Sequence, residues 1–292
     1  MVRATVRRGR PASEPAGVQP GGAFTRRTPR VVAASKLRRR KERTATGRFL
    51  AEGAQAVREA LACPGTVTEL FVTDAAARRH PDLVTAARRA NVPVSPITLD
   101  AADVLTETVT PQGIVAVCRQ RDVPLTQALA TAPRLVTVLV DIRDPGNAGT
   151  VLRTADAAGA GVVCFAGDAV DPYNGKCVRA SAGSLFHVDL VRAAQPTALV
   201  AQLRQAGFGV LATSGRGETD LDTLVDSGVL AAPTAWLFGG EAHGLPADLL
   251  AAADRRVRVP LYGRAESLNL AAAAAVCLYA CARAQRRARG PS

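Results

Sequence analysis

Apolar residues return along this chain in two rhythms, one helical and one strand-like. Leu50, Ala54, Val57 and Leu61 recur at helical spacing and predict an amphipathic helix within 49–62. Short apolar runs at Val67–Val72 and Ile114–Cys118 read as strands, and the pieces Pro81–Ala90 and Leu99–Leu105 as helices. Together they predict a small α/β domain over residues 33–118. Residues 119–134 carry charges and two prolines and read as a linker.

A second domain is predicted over 135–292. It opens with Leu135–Ile142, a β-branched run that ends at the turn Asp144-Pro145-Gly146-Asn147. A helix from Ala148 to Ala158 stops at Gly159, and the buried strand Val162–Phe165 follows. Strand, helix and strand in so short a span form a βαβ unit, so a parallel sheet is expected. Further strands are predicted at Phe186–Leu190, Phe208–Leu211, Ala235–Phe238 and Arg256–Val259. A helix over Pro246–Ala253 and a long alanine-rich one over Ser267–Arg287 complete the pattern, with no internal repeat.

Composition sharpens this picture where charge is concerned. The chain has 292 residues, 48% of them hydrophobic, enough for two cores. Residues 1–48 hold twelve arginines and two lysines against Glu14 and Glu42, and so carry the entire net charge of +12. A basic arm on a neutral body suits a polyanion such as RNA, since neutralised phosphates release counterions; a solvated tail without a fixed partner is the alternative. Residues 1–32 mix Arg, Pro, Gly and Ser without periodicity and are predicted to be a disordered basic tail.

Six cysteines form no CxxC pair and sit mostly in apolar runs, and there are only three histidines. This argues against a metal site and for a reducing, cytoplasmic setting without structural disulfides. The N-terminus lacks the apolar segment of a signal peptide, and Pro11, Pro15 and Pro20 would break a transit helix. The longest apolar run, Leu270–Ala282, is too short for the ~30 Å hydrocarbon core, so a soluble protein is expected.

In open α/β sheets, ligands collect beyond the carboxyl ends of the strands, and three predicted strand ends carry unusual residues. In the first, Asp144 to Arg153, Asn147 is a candidate N-cap and Arg153 lies about 200° around the helix from the apolar Val151, which points it away from the core. A solvated arginine would satisfy the same pattern. In the second, Gly239-Gly240-Glu241 lets the backbone approach a ligand and sets a carboxylate at the sheet mouth; an ordinary tight turn would also use these glycines. In the third, Val259 to Leu270, Ser267 can cap the final helix, and Asn269 is an amide in an apolar stretch that needs a partner.

Taken together and in this order, these segments resemble the three signature motifs of the SpoU (TrmH-like) branch of the SPOUT RNA methyltransferases. Pro145, Asn147, Gly149 and Arg153 match the first motif. Gly239, Glu241 and Gly244 match the second, with Gly240 where the family usually has Asn. Val259, Pro260, Gly263, Ser267, Leu268 and Asn269 match the third, with Leu261 in place of Met. Lys176, Arg179, Ser181 and Gly183 resemble an intervening family segment. Three N-terminal stretches, Ser35–Arg38, Gly47–Gly53 and Val109–Ala116, resemble the L30e-like substrate-binding domain that many members carry.

The resemblance implies a C-terminal trefoil-knotted domain with a parallel sheet, and a homodimer with the active site across its interface. It also implies S-adenosylmethionine (SAM) as methyl donor and a ribose 2′-hydroxyl as acceptor. Ribosomal RNA, most of all 23S rRNA, is the implied substrate; a thiopeptide-resistance methyltransferase of the same layout or a tRNA enzyme are the alternatives within the class. Arg153, Asn147, Glu241, Ser267 and Asn269 are the implied catalytic residues. Gly239, Gly240, Val259, Leu261, Ser267 and Leu268 are expected around the cofactor, and Lys36, Arg38, Arg39, Arg40, Lys176 and Arg179 on the RNA. No metal and no membrane are needed.

Other classes fare worse. A Rossmann enzyme would want G-x-G-x-x-G after the first strand, and the loop at 146–149 lacks it. A hydrolase would want G-x-S-x-G with a partner histidine. A non-catalytic RNA-binding protein would keep the basic arm but would not need Arg153, Glu241 and Asn269 together.

Overall fold

The computed structural model describes residues 22–241 and 243–289. In the N-terminal unit, α1 (Pro29–Lys36) and α2 (Arg40–Thr46) precede β1 (Arg48–Glu52), α3 (Ala54–Ala62) and β2 (Val67–Val72). Then come α4 (Asp74–Arg79), α5 (Pro81–Arg89), β3 (Val94–Pro96), α6 (Leu99–Leu105) and β4 (Ile114–Arg119). Its four strands form one mixed sheet in the order β1-β4-β2-β3.

Helix α7 (Leu125–Ala130) leads to the C-terminal unit, which opens with β5 (Leu135–Val140), α8 (Pro145–Ala158), β6 (Val162–Ala166), α9 (Gly175–Ala180) and β7 (Asp189–Ala193). It continues with α10 (Pro196–Gln205), β8 (Gly209–Thr213), β9 (Thr219–Asp220), α11 (Leu221–Asp226) and β10 (Thr234–Gly239), and ends with α12 (Ala247–Ala252), β11 (Arg255–Arg258) and α13 (Leu270–Arg289). The seven strands are ordered β7-β6-β5-β10-β8-β11-β9, with every pairing parallel. Helices cover both faces, which is why β5 and β10 are buried along their whole length and read as continuous apolar runs rather than alternating ones.

The expected α/β architecture and parallel sheet are present, and several local expectations are corrected. Residues 48–52 form β1, not the start of a helix. Antiparallel pairing with β4 sends Phe49 and Ala51 into one core cluster and Leu50 into another, and Gly53, at φ +92°, turns the chain before α3 begins. The helical spacing of Leu50 was overridden by strand pairing. Of the predicted tail, residues 1–21 lie outside the described residues. The remainder is structured: Phe24 N donates to Pro96 O (2.8 Å), Thr98 N to Phe24 O (3.0 Å), and Val31 in α1 is buried.

The predicted linker carries α7, whose Leu125 and Ala128 are buried against the second sheet, and Val123 N donates to Leu190 O (2.9 Å). The strand expected at Phe186–Leu190 lies later, at Asp189–Ala193, because that stretch pairs with β6; Phe186 instead stacks near Phe49, ring centroids 6.1 Å apart.

Two helix caps are also corrected. Asp144, not Asn147, caps α8: its Oδ1 accepts from Asn147 N (2.7 Å), and Pro145 begins the helix where a missing N–H costs nothing. Asn269, not Ser267, caps α13, its Oδ1 accepting from Ala271 N (2.8 Å). Asn269 is exposed rather than buried, yet both ends of its amide are engaged.

The two units share one apolar cluster, which runs from Phe49 and Ala51 through Tyr173 and Phe186 to Leu139 and Trp236. Across the same seam, Arg43 Nε donates to Asp171 Oδ2 at 2.7 Å, both side chains nearly inaccessible to water. The six cysteines are free thiols, and burial raises those of Cys164 and Cys277 to about 12. They serve as small apolar residues. No helix among the described residues is long and apolar enough to cross a membrane, and these residues hold no cluster of His, Cys, Asp and Glu able to bind a metal.

Candidate active site

The carboxyl ends of β5, β10, β8 and β11 meet at one mouth of the large sheet, and the three motif loops leave from there. Their side chains join at Asn147, in the first turn of α8. Asn147 Nδ2 donates to Glu241 Oε1 (2.8 Å), and Asn269 Nδ2 donates to Asn147 Oδ1 (3.2 Å). One amide therefore links a residue 94 positions away to another 122 positions away.

Backbone geometry explains the glycines. A Cβ on Gly239, the last residue of β10, would overlap Gly244 C and Leu245 N, and one on Gly240 would lie 2.9 Å from Asp141 O. Gly244, at φ +67°, folds the loop back so that its N donates to Gly240 O (2.9 Å). Gly149 serves packing: a Cβ there would strike Cys177 O and come within 2.7 Å of Ala180 Cβ, so the glycine lets α8 and α9 touch.

Beside this junction lies a cleft of about 680 Å³. All six expected cofactor residues, Gly239, Gly240, Val259, Leu261, Ser267 and Leu268, line it, and so do Glu241 and Asn269. Asn147 reaches the cleft only through its bonds to the last two. Arg153 is not on the cleft wall; it is exposed on α8, six residues past Asn147 and so about 9 Å along the axis and turned to another side.

Of the residues expected on RNA, Lys36, Arg38, Arg39 and Arg40 are exposed at the junction of α1 and α2, Arg38 with its Nε 3.7 Å from Glu107 Oε1. Lys176 and Arg179 are engaged within the chain instead. Lys176 Nζ sits 2.8 Å from Asp144 Oδ2, and that hydrogen bond, with the one from Asn147 N, holds the Asp144 carboxyl below its usual range. Arg179 bonds Glu52 (3.2 Å) and faces Glu107 (3.7 Å), which ties α9 to the N-terminal unit.

Sequence reading missed part of the wall. Thr213 at the end of β8 and Ser214, Gly215 and Arg216 after it line the cleft, as does His243. The Gly215–Gly217 punctuation after an apolar run was the available signal. Asp141 was missed as well. At φ +53°, a conformation L residues rarely adopt, it ends β5, accepts from Asp168 N (2.7 Å) and presents its carbonyl to Gly240.

These features suit SAM. Two glycines without room for a Cβ bring backbone to the cleft wall, Leu261 and Leu268 stand about 40% and 39% exposed as an apolar surface for a purine, and Glu241 supplies a carboxylate for a sulfonium. The profile of the SpoU rRNA Methylase family matches residues 134–279, and that of the MRM3-like substrate binding domain matches 28–116. The chain belongs to the SpoU rRNA methylase family.

This SpoU chain is 40% identical over 244 residues to the 23S rRNA (guanosine(2553)-2′-O)-methyltransferase RlmP of Bacillus subtilis, covering 84% of this chain and 92% of that one. Its fold matches the AdoMet-bound rRNA methyltransferase from Sinorhizobium meliloti with a TM-score of 0.75 at 31% identity, over 88% of this chain and 95% of the other. It matches the SpoU methyltransferase AviRb from Streptomyces viridochromogenes, in complex with AdoMet, with a TM-score of 0.76 at 30% identity, over 90% and 100%. The SpoU protein described here is a SAM-dependent rRNA ribose 2′-O-methyltransferase.

Proposed function

We propose that the methylated ribose lies in 23S rRNA and that the enzyme works as a homodimer, Arg153 of one copy serving the cleft of the other. The position of Arg153 carries this reading. It is exposed and lies off the cleft of its own chain, a position that suits delivery to the cleft of a second copy. Two further features support the assembly: residues 261–269 are exposed throughout, and α13 leaves Val276 and Tyr279 open to solvent. The knotted threading expected for this domain belongs to the same proposal. The similarity to RlmP over most of both chains favours 23S rRNA.

When bound, SAM supplies a methyl group on a sulfonium, an easily displaced leaving group. The chain's own residues then have to position and activate a weak nucleophile. Asn147 fixes the distance between Glu241 and Asn269, so the two loops are held together at the cleft. Glu241 and Ser267 stand where the donor's charge and polar edge would lie. A guanidinium is a poor proton acceptor, so Arg153 orients the RNA phosphate and stabilises the ribose oxygen as the hydroxyl proton passes to solvent, rather than acting as the base. Lys36, Arg39 and Arg40 form an exposed basic face for the phosphate backbone.

The test uses labelled SAM and ribosomal RNA from a strain lacking the gene, with reverse-transcription stops to locate the product. Arg153→Ala should abolish transfer to 23S rRNA and leave calorimetric cofactor affinity unchanged. Equal activity of variant and wild type would remove the proposed role.

A further inference from the structure

A second, smaller crevice of about 230 Å³ opens at the seam between the two units, walled by Glu52, Gln55, Thr108, Thr110, Gln112 and Ala182. We propose that it receives the base of the nucleotide whose ribose is methylated, with Gln112, Gln55 and Thr110 reading the base edge. This rests on the reading that Arg153 acts on an RNA ribose, and it adds where the rest of that nucleotide goes.

The placement follows from α8. Gly149 packs against Cys177 and Ala180, and Asp156 holds His187 through a 2.8 Å bond to Nδ1. Arg153 comes four residues after the first contact and three before the second, on the side of the helix shared by both. The chain between those contacts, residues 181–186, thus spans the stretch of α8 that carries Arg153. Ala182, held at φ +48°, is the point where it turns into the crevice wall. A ribose at the guanidinium thus has its base within reach of the crevice.

The chemistry of the walls selects a base rather than a phosphate. The one cation there, Arg179, is already neutralised by Glu52 and Glu107, and the Glu52 carboxylate would repel an anion. What remains is a neutral donor and acceptor set. Gln112 spends its Oε1 on Ala54 N (3.0 Å), which leaves its NH2, and Gln55 spends its Nε2 on Glu59 (2.6 Å), which leaves its carbonyl. Amide donors and acceptors side by side, with a hydroxyl, are what base edges require. Val109, fully exposed, lies in the chain between the wall residues Thr108 and Thr110.

Gln112→Glu keeps the oxygen that caps α3 and removes the donor, and Thr110→Trp fills the crevice from an exposed loop position. Each should lower kcat/KM for RNA by about tenfold or more, with melting temperature and calorimetric SAM affinity as in wild type. Benzoylphenylalanine in place of Val109 should crosslink within a few nucleotides of the methylated ribose, mapped by reverse-transcription stops. Wild-type kcat/KM in both variants, or crosslinks confined to distant sequence, would overturn the proposal. Wild-type enzyme that labels another RNA and not 23S would sink the 23S reading alone, since the variants and the crosslink are then read on that RNA. Failure to label any RNA would sink both.

Discussion

Replacing Arg43 by methionine removes half of an ion pair closed off from water, each of its side chains 3% exposed. The same guanidinium donates to Leu37 O (3.1 Å) and Arg38 O (2.8 Å), tying down the end of α1. Methionine fills the volume of the stem but leaves Asp171 with Tyr173 N at 3.1 Å and the more distant Arg192 at 3.9 Å. Breaking a buried pair from one side costs about 3–5 kcal/mol. The residual partnership with Arg192 places Arg43→Met near the lower end, about 3 kcal/mol. For a body of this size that is a fall of about 6–12 °C in melting temperature.

The assay is the fluorescence of Trp236, the only tryptophan, fully buried in the other unit. Because one apolar cluster crosses the seam, the two units should melt together, and the Trp236 transition should shift by the full amount. The double change Arg43→Met with Asp171→Leu should regain part of the loss, since it removes the orphaned carboxylate. A Trp236 transition unmoved by Arg43→Met would refute the reasoning, because the C-terminal unit would then unfold independently of the pair.

Three further predictions follow from the site. Gly239→Ala forces the new Cβ into Gly244 and Leu245, so the loop must shift; kcat/KM should fall about a hundredfold while circular dichroism stays unchanged. His187 bridges Asp156 (2.8 Å) and Glu59 (3.1 Å); the Asp156 bond raises its pKa most, burial opposes it, and the Glu59 bond adds to the net rise. A raised folded-state pKa gives stability that is complete below the unfolded value of 6.5 and fades as pH rises through the folded one, so the melting temperature of wild type relative to His187→Gln should decline as pH rises above 6.5. A difference that does not vary with pH would count against this bridge. Finally, Arg153→Ala subunits, inactive alone, and Gly239→Ala subunits, about a hundredfold impaired alone, should regain about a quarter of wild-type activity when unfolded and refolded together, since about half the dimers are mixed and each holds one intact site. No recovery would place Arg153 and the cleft in the same chain.

The chain by itself determined its fold class, and its local chemistry marked the cleft. Apolar runs at β5, β6 and β10 announced a parallel sheet because strands buried on both faces have no polar positions to spare. Gly239, Gly240 and Glu241 pointed to the cleft because close backbone approach and a carboxylate at a strand end leave traces in local sequence. Only the tertiary structure decided the rest. That Asn147 would bond both Glu241 and Asn269, or that Arg179 would face Glu52 and Glu107 rather than solvent, depends on contacts between residues tens to more than a hundred positions apart, which no local periodicity encodes. Phe49 to Glu52 is the plainest case: the apolar spacing fitted a helix, and a partner strand more than sixty residues away made it a strand, because hydrogen bonds and burial gained in a sheet outweigh a weak local preference.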